Sequence, residues 1–85
     1  MKPYKEKIIE DYYYRTFSSS LDNKELVWHR DKEDRIVEAV EGTNWLFQID
    51  NQLPIKIKSE IFIPKNTFHR IIKGDGDLIV KIKKL

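Results

Sequence analysis

The chain has no cysteine. Disulfides, zinc-finger ligation and thiol nucleophiles are thereby excluded, and a reducing cytoplasm is the expected location. No apolar run approaches the roughly 18–20 residues that span a bilayer, so no membrane role is expected. The N-terminal run Met1-Lys2-Pro3-Tyr4-Lys5-Glu6-Lys7 has no apolar stretch of the kind a signal peptide needs. There is no internal repeat and no serine-nucleophile motif. His29-Arg30-Asp31 spells the kinase catalytic tripeptide, but no Gly-rich loop or strand lysine accompanies it. Gly74-Asp75-Gly76-Asp77 lacks the spacing of a calcium loop and reads as a hairpin turn. Histidine is scarce too, with only His29 and His69 in the chain.

What is present fits one small globular domain. The chain has 85 residues, of which 35% are charged and 12% aromatic. A chain of this size buries only roughly 60–65% of the surface its unfolded form exposes, so its core is small and a homodimer interface would help it. The net charge of +2 is unevenly spread. Residues 1–50 hold eight Lys/Arg against eleven Asp/Glu, and residues 51–85 hold eight against three. A basic second half could attract nucleic acid or a host factor. The simpler reading has lysines decorating the solvent face of strands and guarding sheet edges, and no nucleic-acid partner is expected.

From Glu25 onward, runs rich in β-branched and aromatic residues alternate with turn formers. The expected strands are Glu25–Asp31, Arg35–Val40, Trp45–Ile49, Leu53–Lys58, Glu60–Ile63, Phe68–Ile72 and Leu78–Lys83. Strands recurring every 8–12 residues predict a barrel or sandwich. Residues 1–24 are expected as an N-terminal strand and extension, and residues 25–85 as the barrel. Ile8, Ile9, Tyr12 and Tyr13 fit one face of a short helix, while residues 12–17 fit a strand equally well by pattern and better by aromatic content.

The period-two rule puts His29 and Asp31 on one face of one strand. Arg35, Val37 and Ala39 would point inward from the next. His69 would come from a later strand with Ile71 below it, and Leu78, Val80 and Ile82 would fill the barrel bottom. A polar cluster above apolar packing is the usual anatomy of a small-ligand site. Two imidazoles and a carboxylate can hold a divalent transition metal (Fe, Mn, Ni or Zn) with positions left open.

The clusters around His29 and His69 resemble the two motifs of the cupin superfamily. The first family motif runs His, any residue, His, three or four residues, Glu, six residues, Gly. His29 and Gly42 match it, Asp31 stands at the second histidine, and Arg35 stands at the glutamate. The second runs Gly, five residues, Pro, any residue, Gly, two residues, His, three residues, Asn. Pro64 and His69 match, Lys58 and Asn66 occupy the glycine positions, and Lys73 occupies the asparagine position. Asn66 can replace glycine because asparagine tolerates a left-handed backbone. The chain is also similar to short cupin-like proteins of cyanobacterial phages. The resemblance implies an all-β fold, a single-domain double-stranded β-helix (jelly-roll barrel), often dimeric, with a metal in the barrel. It covers residues 25–83 and implies no particular reaction.

The departures bear on chemistry. Asp31 keeps an oxygen ligand where the family has histidine. Arg35 removes one, because a guanidinium has donors only. Arg35 would instead clamp an anionic ligand, or pair with Asp31, Glu33 or Glu38. Glu33 and Asp34 are candidates to replace the missing glutamate. Trp28, Trp45 and Phe47 could line a ligand pocket or serve as core. The expected metal ligands are thus His29, Asp31 and His69, and the expected ligand-binding residues are Arg35, Trp28, Trp45 and Phe47. The ligand is expected to be small and anionic or sugar-like, with metal-free binding through the same pocket as the alternative. Whether the chain is an enzyme stays open at this point.

Overall fold

Alternation along the last strand organises the molecule. The computed structural model describes residues 2–85. Its strands are β1 (Lys5–Ile9), β2 (Tyr12–Phe17), β3 (Arg35–Ala39), β4 (Leu46–Ile49), β5 (Ile55–Lys56), β6 (Ile61–Ile63), β7 (His69–Ile72) and β8 (Leu78–Lys84). In β8, Leu78, Val80 and Ile82 are buried, whereas Ile79, Lys81 and Lys83 face the other way. This strand sits at the centre of a five-stranded antiparallel sheet of order β1-β2-β8-β3-β6. A second sheet has the order β5-β4-β7.

Register fixes which side chains share the inner face. Phe17 lies opposite Leu78, Arg15 opposite Val80 and Tyr13 opposite Ile82. On the other side of β8, Val37 lies opposite Ile82 and Ala39 opposite Val80. One core joins these residues to Trp45, Phe47 and Ile57 of the smaller sheet. The all-β jelly-roll architecture read from the sequence is the one the chain adopts.

The N-terminal stretch is integral to the larger sheet. β2 pairs with β8 from Tyr12–Lys83 to Phe17–Leu78. β1 folds back on β2 across Glu10 and Asp11, with Glu10 in the left-handed region at φ 55°. The helical pattern of Ile8, Ile9, Tyr12 and Tyr13 is therefore not realised. β1 is an exposed edge strand whose Lys5 and Lys7 discourage further pairing.

The strand expected over Glu25–Asp31 does not form. A single 3-10 turn, Asn23–Glu25, precedes it and is closed by a reciprocal capping box. Asp22 accepts from the Lys24 N–H at 3.1 Å, and Glu25 accepts from the Asp22 N–H at 3.1 Å. Within the turn the Glu25 N–H donates to the Asp22 carbonyl at 2.9 Å and the Leu26 N–H to the Asn23 carbonyl at 3.0 Å, which takes the first two donors of the run. What remains of the strand is one bridge, His29 to His69. The Leu53–Lys58 run likewise shortens to Ile55–Lys56, because Pro54 offers no donor before it.

Candidate metal centre

The single bridge is the framework of the site. The His29 N–H donates to the His69 carbonyl at 3.0 Å, and the His69 N–H donates to the His29 carbonyl at 2.9 Å. Residues paired in this way project their side chains to the same face. The two imidazoles meet edge to face with centroids 4.3 Å apart.

Asp31 is held beside them by turn chemistry. Its carbonyl accepts from the Asn66 N–H at 2.7 Å, and the Asp34 carboxylate accepts from the Lys65 N–H at 2.8 Å. The 31–35 turn is thus stapled to the Pro64–Thr67 turn. Asn66 makes that turn possible with φ 60°, the left-handed backbone that its place at a family glycine calls for.

The imidazole tautomers follow from the hydrogen bonds. His29 Nδ1 lies 3.1 Å from the Val27 carbonyl, and His69 Nδ1 lies 2.8 Å from the Thr67 carbonyl. A carbonyl oxygen can only accept, so each Nδ1 carries a proton, and a ring in its neutral form then offers its lone pair at Nε2. Burial lowers the His69 pKa below its ordinary 6.5 and favours that neutral ring.

His69 Nε2 lies 3.3 Å from Asp31 Oδ2. Asp31 Oδ2 is buried, and no hydrogen bond from the described residues reaches it. Two lone pairs therefore face one another across a short gap, an arrangement that a cation between them would relieve. Donor atoms of His29, Asp31 and His69 all lie within 4.8 Å of one another. Ligands roughly 2.1 Å from a common ion stand about 3–4 Å apart, so only a small inward adjustment is needed. The donor set and its orphaned oxygen fit a divalent transition metal.

The other expected site residues divide. Arg35 is buried and multiply paired: Nε and Nη2 donate to Glu33 Oε1 at 3.2 and 2.9 Å, and Nη1 lies 3.3 Å from Asp31 Oδ1. Glu33 faces Arg35 and Lys84, Asp34 caps Lys65, and neither joins the metal triad. The Arg35 guanidinium holds the Glu33 pKa below its ordinary 4.5. Phe47 lines the site, its ring 5.7 Å from that of His69. Trp45 is 0% exposed, donates Nε1–H to the Gly76 carbonyl at 3.0 Å, and belongs to the core rather than to the cavity wall. Trp28 is 39% exposed on the outer face, with the Arg70 guanidinium 4.7 Å from its ring.

The triad opens on a cavity of about 500 Å³ between the sheets. Its wall is largely aliphatic, with Val37, Ile57, Ile61, Ile71, Val80 and Ile82 among its residues. Sequence reasoning missed Arg15 and Tyr4, which also line it. The signal was available in β2: Tyr13, Arg15 and Phe17 share parity, and Phe17 is core, so Arg15 must face inward.

The chain matches no protein-family model, and no curated protein matches it. Its fold, by contrast, is shared. A cupin-2 domain containing protein from Shewanella frigidimarina aligns with 93% of this chain and 76% of its own, at TM-score 0.60 and 20% identity. The chain has the cupin fold. KdgF from Halomonas sp. is similar over 99% of this chain and 82% of its own, at TM-score 0.67 and 14% identity. DMSP lyase DddQ from Ruegeria pomeroyi is similar over 84% of this chain, at TM-score 0.70 and 15% identity. This cupin barrel spans only 35% of the length of that lyase. No helix among the described residues is long and apolar enough to cross a membrane.

Proposed function

We propose that this cupin barrel holds one divalent transition metal on His29, Asp31 and His69 and receives a small anionic or sugar-like ligand in the adjoining cavity. The observation that carries the reading is the buried Asp31 Oδ2, which has no hydrogen-bond partner among the described residues and lies 3.3 Å from His69 Nε2. Two imidazoles and one carboxylate on one face leave coordination positions for a ligand. When bound, the metal would supply Lewis acidity to a ligand oxygen.

The chain's own residues have separable roles in this reading. Val27 and Thr67 orient the imidazoles through their carbonyls, so that both Nε2 atoms point toward the site. Arg35 braces Asp31 through Oδ1 and leaves Oδ2 for the metal. Phe47 and the aliphatic wall exclude water from the ligand. The expected homodimer belongs to the same reading, supported by the exposure of Phe62 and Val40 on the outer face of the larger sheet.

Thermal unfolding of chelator-treated protein, with and without added Fe(II), Mn(II), Ni(II) or Zn(II), tests the proposal. Binding raises the midpoint by mass action, and EDTA should reverse the rise. No shift with any of the four would remove the metal. Ligand-induced shifts that persist in EDTA would then favour a metal-free binding module.

A further inference from the structure

The geometry points to Arg15 as the anion anchor of the cavity and to an amphipathic organic acid, rather than a sugar, as its ligand. The inference rests on the cavity being a ligand site, as proposed above.

Two arginines line the cavity, Arg15 and Arg35. All three guanidinium nitrogens of Arg35 are engaged by Glu33 and Asp31. An incoming anion at Arg35 would compete with two carboxylates already in place. Arg15 is differently held. Its Nε donates to Glu6 Oε2 at 2.6 Å. Among the described residues, no hydrogen bond within the protein engages either Nη. The guanidinium carbon lies 4.3 Å from the Tyr4 ring centroid, a cation–π contact. Its side chain is 12% exposed while its unpaired Nη atoms still reach solvent, so a ligand carboxylate entering there meets a positioned charged fork with donors to spare. Lys2 lines the same end of the cavity and adds a second positive charge.

The wall between this end and the metal triad decides the rest of the ligand. Arg15 lies opposite Val80, whereas Arg35, beside Asp31, lies opposite Lys84. Four residues of β8 separate the two levels, about 13 Å along a strand. Val37, Val80 and Ile82 line the cavity over that interval. They offer no hydrogen-bond partners, and each sugar hydroxyl left there without one would weaken binding. A hydrocarbon chain meets no such cost. A carboxylate at Arg15 followed by an apolar chain running toward the triad satisfies both the charge and the wall.

The test is calorimetric titration of the full chain, stripped of metal so that no ion can capture the carboxylate, with octanoate, 1-octanol and glucose. Wild type should bind octanoate at least tenfold more tightly than 1-octanol, and glucose not measurably. Arg15→Gln should lose at least tenfold in octanoate affinity, while Arg15→Lys retains most of it. Glu6→Gln removes the competing carboxylate and should tighten octanoate binding. Equal octanoate affinity in folded Arg15→Gln and wild type would overturn the proposal, as would a preference for 1-octanol or glucose. If Arg15→Gln does not fold, Glu6→Gln decides: tighter binding supports the anchor and unchanged binding overturns it. Zn(II) titration of the same proteins separates this idea from the metal reading. Arg15-dependent octanoate binding without Zn(II) binding leaves the anchor standing and removes the metal. Zn(II) binding with Arg15-independent octanoate binding does the reverse.

Discussion

His29 and His69 exchange two backbone hydrogen bonds, at 3.0 and 2.9 Å, in an isolated bridge between the 25–31 segment and β7. They stand forty positions apart in sequence, and this one bridge puts their imidazoles on the same face. Every functional statement about the site depends on that bridge and on the turn that carries Asp31.

Arg35 is predicted to be a brace. Arg35→Met would strand Asp31 and Glu33, whose side chains are 11% and 29% exposed, without their shared cation. Removing one partner of a largely buried ion pair costs about 3 kcal/mol, more than an exposed pair would. Urea unfolding should show a loss of this size, and a loss below about 0.5 kcal/mol would show that the brace is not needed.

The β7–β8 turn should tolerate no side chain at Gly74. A Cβ there would lie 2.7 Å from the Trp45 backbone nitrogen and closer still to the Asn44 side chain. Because the backbone that leads into fully buried Trp45 cannot retreat cheaply, Gly74→Ala should lower the melting temperature by at least about 4 °C, the shift expected for a loss near 1 kcal/mol in a chain of this size. Gly42→Ala meets nothing within 4 Å and is the matched control.

The Glu6–Arg15 pair should leave a mark on the acid limb of stability. The hydrogen bond from Arg15 lowers the Glu6 pKa below its ordinary 4.5. A carboxylate whose folded pKa is depressed stabilises the fold above its unfolded pKa and loses that contribution as pH falls through the folded value. The stability difference between wild type and Glu6→Gln should therefore be largest near neutrality, at most about 1 kcal/mol, should begin to fall near pH 4.5, and should vanish only once the pH lies below the depressed folded value. Denaturant titrations across this range check it, and a difference independent of pH would contradict it.

Trp28 and Phe47 should separate cleanly. Trp28 stacks under Arg70 on the outer face, whereas Phe47 lines the cavity beside His69. Trp28→Ala should leave octanoate affinity within about twofold, since the exposed cation–π pair contributes only about 0.5–1 kcal/mol and only to the fold. Phe47→Leu should weaken the same ligand several-fold.

Much of this was legible in the residues. Clean alternation in Leu78–Lys83 fixed the central strand, and cupin spacing brought His29, Asp31 and His69 forward as a group. The turn at Asn66 followed from the left-handed tolerance of asparagine. What was not legible came from competition and register. The capping box of Asp22 and Glu25 diverted a sequence that reads as strand. Trp45 and Trp28 look alike in sequence, and only pairing to Gly76 or to Arg70 tells core from surface. Arg15 was overlooked although it shares the parity of Phe17 in β2, a signal that places it inward once Phe17 is taken as core.

The central claim is that two imidazoles and one carboxylate form a metal site. Its most direct test is elemental analysis of untagged protein dialysed against a single metal, Zn(II) or Ni(II), and then against metal-free buffer, for wild type and His69→Ala. The account predicts about one equivalent per chain in wild type and less than about a tenth in the variant. Less than a tenth of an equivalent in folded wild type, or an undiminished equivalent in His69→Ala, would contradict it.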